Sequence, residues 1–425
     1  MLIKVKKNNF SDVLENKKTQ MYLRDTLGLW LNIPKSSSSE LPIMPVHLAE
    51  RFLRLEEFEN DYRDQWDGWD FSYCRSFHEG RMWRADIDHW VKSIREKYSS
   101  LALTKNQWPE SHDFAVCLTH DVDLFSTQQT LVQRFRKLKS CLTWKGGSIR
   151  DRFIMSSAAF FYNLFKMITE RKKEITELEE CVELEKKYNF TASYFFTVYP
   201  KWDKIKYDCV FDINDPCRWR GQDIRVKDMI KDMLEDEFDI GLHGSFYSAV
   251  DLPVLREEKE RIERAANHTI FTTRQHYLHW DINKTPHIHE EIGLEADTTL
   301  GFNRNIGFRS GTSLPYFMYD LANDNCLNLI QAPLILQDVA MFSDTALGLN
   351  LDISKKITLQ FIAEVEKVGG LLTVLFHPDR MSDAIYKEYY EWFLDVLSKK
   401  NVWVASLAQI NSWSREKARD LGYKF

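Results

Sequence analysis

The sequence has no run approaching the roughly 18 apolar residues that a helix needs to cross a bilayer, so no membrane span is expected. Its first residues, Met1-Leu2-Ile3-Lys4-Val5-Lys6-Lys7-Asn8-Asn9, lack the long apolar core of a secretory signal. Basic charge is not in excess either: 57 Lys and Arg stand against 63 Asp and Glu, a net charge of −6. That balance argues against nucleic acid as a partner, because a phosphate backbone is usually met by a basic stripe. The seven cysteines, Cys74, Cys117, Cys141, Cys181, Cys209, Cys217 and Cys326, are odd in number and contain no Cys-x-x-Cys pair. A disulfide framework is therefore not expected. Reduced thiols, several of them buried, in a cytoplasmic protein are expected instead. No internal repeat is visible.

What remains is ordinary for a globular chain: 44% hydrophobic and 28% charged residues. A length of 425 residues leaves room for two or three domains, one with a large core. Residues 1–110 read as a separate, mixed or mainly helical domain. The serine run Ser36 to Ser39 with Pro42 and Pro45 marks a loop. Leu48, Phe52, Leu55 and Phe58 then recur at helical spacing between Val46 and Tyr62, and a second helix is predicted over 85–98. Trp66, Trp69 and Phe71 lie between them. Aromatic core packing is the leading reading, and a sugar-stacking platform is the alternative.

From residue 111 the pattern changes to short apolar strands alternating with amphipathic helices. Strands are predicted at 113–119, 191–197, 239–243, 269–274, 293–298, 328–333, 371–376 and 402–406. Helices are predicted at 174–188, 225–236, 354–368 and 383–399. Such alternation implies parallel strands with helices packed outside, and seven or eight units suggest a (β/α) barrel over 111–425. Residues 125–173 interrupt the rhythm as a helical insertion. It begins basic, with Arg134, Arg136 and Lys137, and ends aromatic-rich. Packing against the barrel is favoured there, and peripheral membrane contact through 134–168 is the alternative.

Catalytic residues of such barrels gather at the C-terminal ends of the strands. The apolar run Phe114 to Leu118 leads into Thr119-His120-Asp121-Val122-Asp123. Strand alternation puts both acids on one side, with Val122 and His120 on the other. One carboxylate can hold a metal while the other takes a proton from water. Four further clusters follow in order: Gly241-Leu242-His243-Gly244-Ser245, Arg274-Gln275-His276-Tyr277, Glu295-Ala296-Asp297 and Phe376-His377-Pro378.

In that order the five clusters resemble the motifs of the polysaccharide deacetylase family, the NodB-type carbohydrate esterases, over about the last three quarters of the chain. The resemblance implies a metal-dependent hydrolase that removes an N-acetyl group from a sugar or polysaccharide precursor. It makes Asp121 the catalytic base, Arg274 the group that orients it, and Asp123 and His243 metal ligands. Asp297 and His377 become the pair that delivers a proton to the leaving amine. The chain departs from the family at Tyr247, where a second histidine is expected, and at His276, which stands in the place of a proline. His276 is therefore expected to supply the third ligand of a divalent metal, with zinc favoured by imidazole ligands. Tyr277 and Trp280, next to the arginine motif, are expected to line the substrate groove. Arg309, between Gly307 and Gly311, meets either an anionic group of the substrate or a salt-bridge partner. His287 and His289 read as exposed. Two other readings stay open: hydrolysis of another non-peptide C–N bond, and a carbohydrate-binding barrel without catalysis.

Overall fold

The computed structural model describes residues 10–59, 62–64, 66–103, 106–125, 175–198 and 211–425. The insertion expected at 125–173, with its possible membrane-facing stretch 134–168, lies almost wholly outside them. Twelve strands are present in the described residues: β1 (Phe114–Val122), β2 (Ser193–Phe196), β3 (Pro216–Trp219), β4 (Gln222–Arg225), β5 (Asp239–Gly244), β6 (Thr272–Gln275), β7 (Ala296–Asp297), β8 (Tyr316–Asp320), β9 (Asn325–Gln331), β10 (Leu334–Gln337), β11 (Leu371–Phe376) and β12 (Val402–Ala405).

Strands β3 and β4 form a small hairpin; the other ten make one sheet in the order β10-β11-β1-β2-β5-β6-β7-β9-β8, with β12 beside the start of β1. Every pairing in the large sheet is parallel except β8 with β9. β1 is the hub. It pairs with β11 along Ala115 to His120, with β12 along Phe114 to Cys117, and with β2 from Thr119 onward. Among the described residues no strand pairing joins β10 to β8, so the sheet is a curled half-barrel rather than a closed barrel.

Both faces of these strands are covered, which is why they read as unbroken apolar runs. Outward residues Phe114, Val116, Leu118, Tyr194, Phe196, Ile240, Leu242, Leu372 and Val374 share a core with the helices outside the sheet. Those helices run Glu177–Lys187, Val226–Glu235, Leu252–Ala266, Leu351–Val368 and Ala384–Ser398. Their starts are set locally: Thr176, Asp251, Asn350 and Asp383 each accept a backbone N–H of the first turn. Such a cap contributes about 1 kcal/mol. The long helix Leu351–Val368 stops at Gly369, which takes the left-handed conformation (φ 70°) that glycine adopts without a Cβ clash.

The inner face carries small residues, Ala115, Cys117 and Gly241, the last against the ring of Phe195. A Cβ on Gly241 would collide with that ring. Ala115, Cys117, Phe195 and Leu371 also belong to a second core with Tyr22, Trp30, Phe52 and Trp108 from the N-terminal part of the chain. Hydrogen bonds tie the same parts together: Trp30 Nε1 donates to Pro315 O (2.8 Å) and Trp108 Nε1 to Gly369 O (3.0 Å). The five described cysteines are free thiols, four of them buried. Among the described residues no helix is long and apolar enough to cross a membrane.

Candidate active site at the strand ends

Alternation along β1 turns Asp121 inward, where Arg274 of β6 meets it. Arg274 Nη1 donates to Asp121 Oδ1 at 2.9 Å, Nη2 to Thr119 Oγ1 at 2.8 Å, and Nε to Thr298 O at 3.1 Å. The guanidinium is fully buried and lies over the Phe195 ring at 5.0 Å. Four fixed partners leave it one orientation, and through it the carboxylate has one as well. Burial alone would raise the pKa of Asp121. The charge of Arg274, helped by His243 and His377, outweighs it and holds the carboxyl below its ordinary value. Asp121 is thus held ionised although it is nearly buried.

Asp123, His243 and His276 converge beside it, their ligand-type atoms all within 4.8 Å of one another. His243 Nδ1 faces Arg274 O at 2.9 Å, which assigns the proton to that nitrogen and leaves Nε2 as the ring's lone-pair donor. His243 Nε2 and His276 Nε2 stand 3.3 Å and 3.4 Å from Asp123 Oδ1. Donors about 2.0–2.1 Å from a tetrahedral zinc stand roughly 3.3–3.4 Å apart, so the spacing fits a divalent cation. His243 Nε2 and Asp123 Oδ1 are moreover inaccessible atoms without a hydrogen-bond partner, a costly arrangement unless something binds them. Burial would raise the pKa of Asp123, but His276 and His243 keep it well below the carboxylate range.

His276 owes its place to a sharp reversal of the chain after β6. Tyr277 (φ 56°) and Leu278 (φ 52°) are consecutive left-handed residues, each strained for a side chain of its kind. The reversal lays the Tyr277 ring on that of His276, 4.4 Å between centroids. Tyr247, at the position where the family resemblance expects a histidine, is 39% exposed and is not among the residues that line the cleft.

The carboxylate that pairs with His377 is not the expected one. His377 Nδ1 lies 2.7 Å from Asp338 Oδ1, and its backbone N–H donates to Asp338 Oδ2 at 2.7 Å. Asp297 is not the partner. Its carboxylate accepts Thr299 N (2.8 Å) and Thr299 Oγ1 (2.6 Å), and burial pushes its pKa up to about 6. Its neighbour Thr298 receives Arg274, so this loop supports the arginine rather than the histidine. Burial would lower the pKa of His377, but Asp338 outweighs it and, with Asp123 and Asp121, raises it to about 9. The sequence signal for Asp338 is weaker than for the other acids, because it stands one residue beyond the short apolar run Leu334-Ile335-Leu336, with Gln337 between, and directly follows β10.

One cleft is lined by Asp121, Asp123, His276, Tyr277, His377, Asp379, Arg380 and Trp66. Tyr277 is where substrate contact was expected, whereas two other expected contacts are not in the cleft. Trp280 is buried edge-on against His289. Arg309 is buried in a two-pronged pair with Glu57 (2.8 and 2.7 Å) and donates to Gly301 O, outside the residues that line the cleft. His289 is not exposed but fully buried, 2.8 Å from Gln275 Nε2, and His287 is half-buried beside Asp320 at 3.1 Å. His120 faces away from the cleft, as alternation requires, with Nε2 2.6 Å from Glu185 Oε1.

No protein-family model matches the sequence, and no curated protein does. Among solved structures, the chain is similar to a Mycobacterium smegmatis protein assigned to the polysaccharide deacetylases, 16% identical over 75% of this chain and 95% of that one, with a TM-score of 0.49. A Pseudomonas aeruginosa protein with the same assignment is 14% identical over 77% of this chain and 98% of that one, TM-score 0.48. The Puue allantoinase is 12% identical over 75% of this chain and 94% of that one, TM-score 0.45. The half-barrel brings Asp121, Asp123, His276, Tyr277 and His377 to one cleft at the C-terminal ends of its strands.

Proposed function

We propose that the chain is a metal-dependent hydrolase that removes the N-acetyl group from a sugar or polysaccharide precursor. One observation carries this reading: an ionised carboxylate, two donors of a three-donor cation site and a protonated histidine line one cleft, with the third donor, His243, buried against them. The sugar comes from the motif resemblance. A divalent cation held by Asp123, His243 and His276, with zinc the best fit to the donor set, supplies Lewis acidity toward water and the acetyl carbonyl.

The protein's own groups divide the proton transfers. Asp121 accepts the proton from the attacking water. Arg274 keeps that carboxylate ionised and aimed. His377 gives its proton to the departing amine nitrogen, while Asp338 fixes the ring and favours its charged form.

Metal analysis of the purified chain, combined with acetate release from a panel of N-acetyl sugars, tests the proposal. Asp121→Asn is expected to keep fold and metal while losing ~10²–10⁴-fold in rate, the usual worth of a general base. His276→Ala is expected to lose most of the bound metal. A fully active Asp121→Asn protein, or full metal occupancy in His276→Ala, would remove that residue from its role. Hydrolysis of a different C–N bond without acetate release would replace the substrate and keep the site.

A further inference from the structure

We propose that Trp66 of the N-terminal region builds a sugar-binding subsite, its indole the platform for a pyranose ring next to the one that loses its acetyl group. The inference rests on the deacetylase reading and adds a wall of the cleft that comes from outside the barrel.

Asp64 and Gly68 anchor the backbone beside Trp66. Asp64 Oδ1 accepts the backbone N–H of Trp66 (2.8 Å) and of Gly68 (2.9 Å), and Asp64 N donates to Gly68 O (2.8 Å). Its other oxygen accepts Asn303 Nδ2 at 2.9 Å, from the loop after β7. A Cβ on Gly68 would press to 2.7 Å from that same nitrogen, so glycine permits the close approach. On either side, Asp67 lies 3.3 Å from His279 Nε2, and Asp70 accepts Arg304 at 2.9 Å. These contacts fix the indole before any ligand arrives, which lowers the ordering cost of binding.

What Trp66 presents is suited to a sugar. Trp66 is half-buried and lines the same cleft as Asp121, Asp123 and His377. It stacks on Tyr277 at 5.6 Å and 11°, and Tyr277 stacks in turn on His276. The aromatic series therefore starts at the cation site and ends at the indole, one ring further out. The electron-rich face of an indole meets the C–H face of a pyranose, while the hydroxyls around the sugar's rim stay available to polar groups. Trp69 and Phe71, which share the segment, pack in a local core with Cys74, Met82 and Phe302, so the platform is Trp66 alone.

The test uses the full-length, metal-loaded protein and chitotetraose, an N-acetylglucosamine oligosaccharide. Trp66→Leu keeps apolar bulk against Tyr277 and removes the flat face; Trp66→Phe keeps a face. Trp66→Leu is expected to raise KM for chitotetraose about tenfold with kcat within about twofold, and to affect the single sugar less. Trp66→Phe should recover most of the loss, and metal content should be unchanged in both. A wild-type KM in Trp66→Leu, or equal falls in kcat or metal content in both variants, would overturn the subsite, the latter assigning Trp66 to support of His276. If the wild type releases no acetate, the function reading falls by itself. The subsite is then read by calorimetric binding of chitotetraose to wild type and Trp66→Leu, and equal or absent binding rejects it.

Discussion

Burial alone would strip His377 of its proton near neutral pH; the Asp338 carboxylate 2.7 Å away reverses that and raises the pKa to about 9. A general acid must carry its proton, so the sign is fixed: turnover should hold below that value and fall as pH rises through it. Asp338→Asn removes the largest raising influence and should move the alkaline limb of the kcat profile down by ~1–3 pH units. An unmoved limb would take His377 out of the acid's role. Sequence made most of this residue set legible because strand-end acids and histidines stand out after apolar runs. Asp121, Asp123, His243, His276 and Arg274 were readable in that way. Side chains whose partners come from distant segments were not. Arg309 between two glycines looks like a ligand contact until Glu57, far earlier in the chain, is seen to hold it.

Among the elements, β1 has two tasks that its pleat separates. Asp121 goes inward, and His120 goes outward into a buried cluster on Glu185, where Tyr194 OH donates to Oε2 at 2.7 Å and Tyr390 OH to Oε1. That cluster joins β1 and β2 to the helices Glu177–Lys187 and Ala384–Ser398 directly behind the base. Glu185→Ala would leave an imidazole and two hydroxyls buried without their acceptor, at roughly 1–3 kcal/mol for each group left unpaired. Urea unfolding should show a loss of ~3–5 kcal/mol; a loss under ~1 kcal/mol, the net worth of a single hydrogen bond, would mean the cluster does not brace the strand. Periodicity revealed β1 and its parallel neighbours because each is an apolar run bounded by polar residues. It failed for β10, which follows β9 after only Ala332-Pro333: the strand expected at 328–333 covers the end of β9 and stops short of β10. It failed also for β8, an antiparallel edge strand that the expected βα rhythm has no place for. The predicted helix from Val46 to Tyr62 divides into Val46–Phe52 and Glu56–Glu59, with Arg54 in the left-handed region between them.

Over the whole molecule, packing contacts join the described part of residues 10–110 to the half-barrel that carries the cleft. Tyr22, Trp30, Phe52 and Trp108 share one core with Phe195, Leu371 and Tyr316, and Arg309 pairs with Glu57 across the same junction. Asp88 adds a further tie, accepting Thr312 Oγ1 and Ser313 N at 2.5 and 2.8 Å. Sequence composition could place the boundary near residue 110, but a shared core is a property of three-dimensional packing that neither spacing nor charge reveals. Chains of this size commonly unfold in stages. A continuous core predicts otherwise for the described part: tryptophan fluorescence and far-ultraviolet circular dichroism should report one coincident urea transition. Arg309→Ala leaves the Glu57 carboxylate buried without its main partner, at a cost of ~3–5 kcal/mol, and should lower the midpoint seen by both probes together. Two separated transitions, with Arg309→Ala shifting only the first, would show that the N-terminal part stands on its own and that the wall it adds to the cleft can detach.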